Sequence, residues 1–233
     1  MARRAVLWDF DGTLAWREGL WGSALIEALD ELEPGHGVKR EHLRPHLRSG
    51  FPWHEPQRPH PELCEPQVWW RHIEGLLVGA FQAVGFPMGR STQLARAAHE
   101  AFIDPTTYRL YADAVPAIER LSGAGYTQVI LSNHVPELES IVEGLGIRAQ
   151  FRAVITSAVM GYEKPHTAAF RAAIEVAGHP ETLWMVGDNP IADVAGAQQC
   201  GIPAILVHSE GPAERIATGL EHAADIILSM DRS

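Results

Sequence analysis

The sequence predicts an α/β fold, three layers built around an open parallel sheet, interrupted by an inserted all-helical unit. Three observations carry that expectation. Short apolar runs alternate with helix-length amphipathic segments, the beat of βαβ units. Most of the runs lack the alternating polarity of half-exposed strands, as parallel strands covered on both faces should. More than a hundred residues separate the first run from the second, far beyond an ordinary crossover.

The runs give the strands in order: "RAVLW" (4–8), "TQVILS" (127–132), "RAVITS" (152–157), "LWMVG" (183–187), "PAILVH" (203–208) and a short sixth, "DIIL" (225–228). Helices are expected between them. "AVPAIERLSGAG" (114–125) ends on glycines suited to a C-cap. The segments 136–146, 165–178 and 190–201 each begin on a proline, which favours a first helical turn, and stop at glycine. The long interval places a core at 1–15 and 106–233 and a separate unit at 16–105. Three helices are legible in that unit, at 20–32, 66–85 and 91–102, together with an irregular, proline- and histidine-rich loop at 45–66 that is able to cover a site.

The totals narrow the class. The chain has 233 residues, 46% of them apolar, a globular composition. With 29 acidic against 19 basic residues and a net charge of −10, it is poorly suited to nucleic acid or anionic lipid. The opening "MARRAVLWDF" has too short an apolar run for a signal peptide, and no stretch reaches the roughly 20 apolar residues of a membrane span. A cytoplasmic protein is the expectation, monomeric or homodimeric, with no nucleic-acid or membrane partner. The two cysteines, Cys64 and Cys200, are read as free thiols. The twelve histidines form no metal motif: Pro45 spoils the His42/His46 turn.

Ligands of an open α/β sheet bind beyond the carboxyl ends of its strands, so the residues that follow each strand matter most. Asp9, Phe10, Asp11, Gly12 and Thr13 follow the first; Ser132 and Asn133 close the second; Lys164, in "GYEKP", follows the third; Gly187, Asp188 and Asn189 end the fourth, with Asp193 beyond. Buried carboxylates are costly unless paired or metal-bound. Asp9, Asp11 and Asp188 are hard oxygen ligands without cysteine or histidine in their motifs, which suits Mg²⁺. Lys164 adds a compact cation, Ser132 a hydroxyl, and the main chain of the Asp9–Gly12 turn, Phe10 included, offers N–H groups to an anion. A doubly charged anion flanked by a metal and a lysine is a phosphate. Asp9 and Asp11, two apart on an extended chain, face the same way, so one can attack phosphorus while the other handles protons.

Four motifs in this order, "DFDGTL", "ILSN", "YEKP" and "GDNPIAD", resemble the haloacid dehalogenase superfamily of aspartate-nucleophile phosphatases. The resemblance covers about residues 1–15 and 106–230. It implies a Rossmann-like core with a helical cap, with Asp9 as nucleophile and Asp11 as general acid/base. It further implies that Asp9, the main-chain carbonyl of Asp11, and Asp188 hold Mg²⁺, and that Ser132 and Lys164 bind the phosphoryl group. Asp193 would support Lys164 or a metal-bound water from behind. Asn133 is placed to bind substrate or to order the loop, and its neighbour His134 is read more as loop than as contact. The implied activity is hydrolysis of a small phosphorylated metabolite. A phosphomutase, a dehalogenase-type hydrolase or a non-enzymatic binding protein are the alternatives on the same scaffold, although Asp11 has no role in a dehalogenase. Specificity is expected from Trp16, Arg17, the 45–66 loop and the Trp69–Arg71 helix face.

Overall fold

Four consecutive apolar residues, Ala5 to Trp8, are fully buried, because their strand, β1 (Arg4–Trp8), lies between two others and under helices on both sides. A computed structural model describes residues 3–230. Its main sheet contains β1, β4 (Tyr126–Ser132), β5 (Ala153–Thr156), β6 (Thr182–Gly187), β7 (Ala204–Val207) and β8 (Ile216–Ala217). The strands are ordered β5-β4-β1-β6-β7-β8 and every pairing is parallel. Alternate residues of β1 feed two cores. Ala5 and Leu7 join Leu131, Phe170 and Met185 on one face. Val6 and Trp8 join Ile118, Leu121 and Ile130 on the other.

Helices cover both faces, as a parallel sheet requires. On one side α5 (Ala114–Gly123) packs on α10 (Leu220–Met230). On the other α8 (Thr167–Val176) packs on α9 (Gly196–Gln199). The short helices α6 (Leu138–Gly144) and α7 (Ser157–Met160) border β5. The expected strand at 225–228 is instead part of α10. Its apolar residues continue a helical spacing, with Leu220, Ala223, Ala224 and Ile227 buried. The sixth strand is β8, two residues long and too short to leave a pattern.

Between β1 and β4 the chain forms α1 (Leu20–Leu32), α2 (Arg40–Leu43), α3 (Pro66–Ala83) and α4 (Met88–Ile103). Helix α1 buries Trp21, Ala24, Leu25, Ala28 and Leu29, a stripe of helical period that packs on α4, which also packs on α3. The short α2 was not legible in the sequence. The 45–66 stretch is not wholly irregular: it contains 3-10 turns at Pro52–His54 and Pro61–Leu63, each opened by a proline. The segment is also not purely helical at its edge. The short antiparallel pair β2 (Ala15–Trp16) and β3 (Arg109–Leu110) closes the two crossings between it and the sheet.

Arg17 sits beside that pair, buried, donating to Thr107 Oγ1 (2.9 Å), the Leu20 carbonyl (2.7 Å) and Glu27 Oε2 (2.6 Å). It ties the crossing together. Trp69 and Trp70 are both buried; Trp70 donates its indole N–H to Glu137 at 2.9 Å and so locks α3 against the start of α6. Among the described residues no helix is long and apolar enough to cross a membrane.

Candidate active site

The ends of β1, β4 and β6 bring together residues far apart in the chain. The Asp9 amide still donates to the Val186 carbonyl at 3.0 Å, so its carboxylate leaves a strand end that is held in register. Asp9 Oδ1 accepts two hydrogen bonds, from Ser132 Oγ and from Lys164 Nζ, each 2.7 Å. Lys164 Nζ also donates to Asp193 Oδ1 at 2.5 Å. Asn133 fixes the lysine's main chain at two points: its Oδ1 accepts from the Lys164 amide at 2.7 Å and its Nδ2 donates to the Lys164 carbonyl at 2.9 Å. Of the two roles expected for Asn133, the geometry displays the ordering one.

Asp193 is fully buried, and its position depends on a local departure from the expected helix. Residues Pro190–Ala195 wind as a π-helical turn, a form frequent at functional sites. The Asn189 carbonyl accepts from both the Asp193 and Val194 amides (3.0 and 3.3 Å). The Asn189 side chain caps the Ile191 and Ala192 amides. Asp193 is thereby turned inward, where its Oδ2 accepts from the Asn189 amide at 2.9 Å. Gly187 admits it, since a Cβ there would lie 2.2 Å from Asp193 Oδ2.

Three carboxylates, of Asp9, Asp188 and Asp193, each offer an oxygen within 4.8 Å of the others. Burial, followed by the charges of Asp9 and Asp193, pushes the Asp188 carboxyl up to about 7. Burial likewise raises Asp193, against the opposing pull of Lys164. Burial alone would lower the Lys164 ammonium, but the Asp193 and Asp9 carboxylates outweigh it and hold the group above its ordinary value. One cation for three acids leaves the cluster short of positive charge, and the donor set is all hard oxygen. Those two properties fit a divalent cation such as Mg²⁺. Gly12 belongs to the same cradle: its φ is +80° and a Cβ would stand 2.4 Å from Asp188 Oδ2. Gly12→Ala is expected to cost about 1–2 kcal/mol from the left-handed backbone alone. It should also displace Asp188, so that affinity for a divalent cation, if titration of the wild type shows one, falls by more than the melting point suggests; urea unfolding and metal titration separate the two effects.

Asp11 lies outside that carboxylate group. Its Oδ2 is 3.2 Å from His134 Nε2, an approach without good hydrogen-bond alignment, and its Oδ1 has no partner within the protein. The His134 ring is buried edge-on to Phe10, 5.5 Å between centroids. The Phe10 carbonyl turns inward and accepts from the Leu14 and Ala15 amides, both at 3.0 Å, whereas the Phe10 and Asp11 amides take no part in these turn bonds. A second imidazole, His208, approaches the Gly12 carbonyl at 3.1 Å.

A cavity of about 460 Å³ opens over these groups, with Asp9, Asp11, Ser132, Lys164, Asp188 and Asp193 in its floor. All the residues expected at the site are therefore gathered in one place, Phe10 through its main-chain turn. The surrounding wall is less as expected. Trp53 and Pro56 of the 45–66 loop do line the cavity, but so do Leu20, Trp21 and Phe102, which apolar periodicity marks only as core. Trp16, Arg17 and Trp69–Arg71 do not reach it. His134 lines the cavity beside Asp11; its position directly after "SN" at a strand end was the available signal. No motif announced His208.

A family model described as haloacid dehalogenase-like hydrolase matches residues 3–201. Haloacid dehalogenase-like hydrolase domain-containing protein 3 of Mus musculus is 30% identical over 148 residues, 63% of this chain and 58% of that protein. A phosphoserine phosphatase of Thermus thermophilus is 37% identical over 123 residues, 51% of this chain and 49% of that enzyme. The chain thus aligns with only about half the length of these curated relatives. Among solved structures, a 2-haloacid dehalogenase from Pseudomonas syringae shares the fold. Its TM-score is 0.70 at 23% identity, covering 98% of this chain and 99% of that one.

Proposed function

The chain belongs to the haloacid dehalogenase-like hydrolases, and from that membership we propose that it is a Mg²⁺-dependent phosphomonoester hydrolase working through a phosphorylated Asp9. The observation that supports this most is the convergence of Ser132 and Lys164 on one oxygen of Asp9, with a second carboxylate two residues on. In this reading residues 1–15 and 106–233 are the catalytic core, and 16–105 is the cap that sets specificity.

Asp9, Asp188 and the main-chain carbonyl of Asp11 would hold the Mg²⁺, with Asp193 behind Lys164. Bound there, the metal would polarise a phosphoryl oxygen and offset the charge of the acids. The chain's own groups do the rest. Lys164 and Ser132, which meet Asp9 Oδ1, are the donors able to receive phosphoryl oxygens as negative charge builds on them. An Asp9 oxygen attacks phosphorus, and the bond to the leaving alcohol oxygen breaks as Asp11 protonates that oxygen. The ionised Asp11 then takes a proton from a water that attacks the phosphoryl group on Asp9. Phosphate leaves and both acids return to their starting states. Proton transfer of this kind contributes about 10²–10⁴ in rate.

Phosphate release from p-nitrophenyl phosphate and a set of metabolite phosphates, with Mg²⁺ and with a chelator, tests the proposal. Metal-dependent release supports it. Release of chloride from 2-chloropropionate without a metal requirement, and no phosphate from any ester, would overturn it.

The raised Asp188 carboxyl has its own consequence. Between its unfolded value of 3.8 and about 7, the folded protein retains a proton that the unfolded chain has released. Stability of the metal-free protein is therefore expected to fall as pH rises through that window and to level off above it. Mg²⁺ favours the ionised form and should flatten the slope; thermal melts across pH with and without the ion measure both.

A further inference from the structure

The phosphatase reading leaves open what the substrate carries besides phosphate, and the cavity wall bears on it. Every side chain that residues 16–105 contribute to the cavity is apolar: Leu20, Trp21, Trp53, Pro56 and Phe102. Trp21 and Phe102 are stacked, 3.9 Å between centroids and 8° from parallel, so they stiffen the wall while exposing little of themselves, 9% and 3%. Trp53 is half-buried and stacks on Phe51 at 4.7 Å. Val135 and Ile191 extend the apolar surface from the core side.

Most polar side chains of the cavity already have partners or are assigned to the phosphoryl group. Asn133 holds the Lys164 main chain. Asn189 caps the π-helical turn. His134 stands 3.2 Å from Asp11, and neither of its ring nitrogens has a hydrogen-bond partner within the protein. Lys164 is shared between Asp9 and Asp193. The cavity holds four aspartates and a single lysine, and no arginine lines it among the described residues. Arg17, close in sequence, is spent on Thr107, Leu20 and Glu27.

A substrate carboxylate would thus be desolvated beside four aspartates with no lysine or arginine beyond the Lys164 assigned to the phosphoryl group, a costly arrangement. A ring or bulky alkyl group would instead exchange water for contact with Trp53, Leu20 and the exposed edge of Trp21. Resting on the phosphatase reading, we propose that the substrate is the phosphate monoester of an uncharged alcohol bearing an aromatic or bulky apolar group, and that phosphorylated carboxylic acids are rejected.

The test compares esters whose leaving groups are all alkyl alcohols: benzyl phosphate, methyl phosphate, phosphoglycolate and phosphoserine, each with the full chain and Mg²⁺. Benzyl phosphate should exceed both carboxylated esters in kcat/KM by roughly 100-fold and methyl phosphate by about tenfold, the range that apolar complementarity and unpaired polar groups supply. In Trp53→Ala the benzyl-over-methyl preference should collapse, mainly through KM. Phosphoglycolate or phosphoserine turning over as well as benzyl phosphate would overturn the substrate class while leaving the phosphatase intact. A preference unmoved in Trp53→Ala would overturn the role of the aromatic wall. Phosphate from none of the four, with release from p-nitrophenyl phosphate or another metabolite ester, would overturn the substrate class alone; no release from any ester would overturn both readings.

Discussion

Asp9→Asn is expected to lower kcat by about 10⁴–10⁶-fold, the scale on which removal of a covalent nucleophile acts. An amide has nearly the shape of the carboxylate but is no nucleophile toward phosphorus. Its oxygen can still accept from Ser132 and Lys164, which both donate to Asp9 Oδ1 in the native site. The substitution also removes one of three crowded acids. The variant should therefore fold and melt close to wild type while turnover is lost. That combination separates chemistry from stability, and steady-state kinetics beside a thermal melt measure both.

Lys164→Met should damage both at once. The methionine stem fills much of the same buried space, but Asp9 and Asp193 lose the ammonium now 2.7 and 2.5 Å from them. Removing one partner of a buried ion pair costs about 3–5 kcal/mol, because the other charge stays desolvated. Burial already raises the Asp193 carboxyl, so the part of the loss that comes from Asp193 in the metal-free protein should shrink as pH falls and that acid takes up a proton. On the proposed mechanism Lys164 also donates to the phosphoryl oxygens, so its loss should lower kcat by about 10²–10³-fold. Urea unfolding at two pH values and kinetics at saturating Mg²⁺ distinguish the two losses.

Much of this site is legible in the sequence because its parts are tied to strand ends, which apolar runs mark well. Asp9, Ser132 and Asp188 each stand at or just past such an end, and their convergence follows from the parallel sheet alone. Lys164 and Asp193 are legible only through their motifs, since neither stands at the end of a strand. The π-helical turn at Pro190–Ala195 shows the limit. An ordinary helix and this turn share a proline start and an apolar spacing, and the difference lies in one carbonyl, of Asn189, accepting from two amides. The strand expected at 225–228 fails for a related reason: four apolar residues fit a buried strand or a helix face equally, and only the longer stretch from Leu220 displays the helical period. The cavity wall was least legible. Trp21 and Phe102 look like core residues in the sequence and are buried as core residues are; that they also face Asp9 depends on how α1 and α4 lie over the sheet, which no local pattern encodes.

The most direct measurement is mass spectrometry of the chain quenched with acid during turnover of a phosphate ester in Mg²⁺. The expected result is a phosphoryl increment on the peptide that carries Asp9, present in wild type and absent in Asp9→Asn. Steady turnover with the phosphoryl group on another peptide, or equal turnover by Asp9→Asn, would contradict the assignment of Asp9 as the nucleophile.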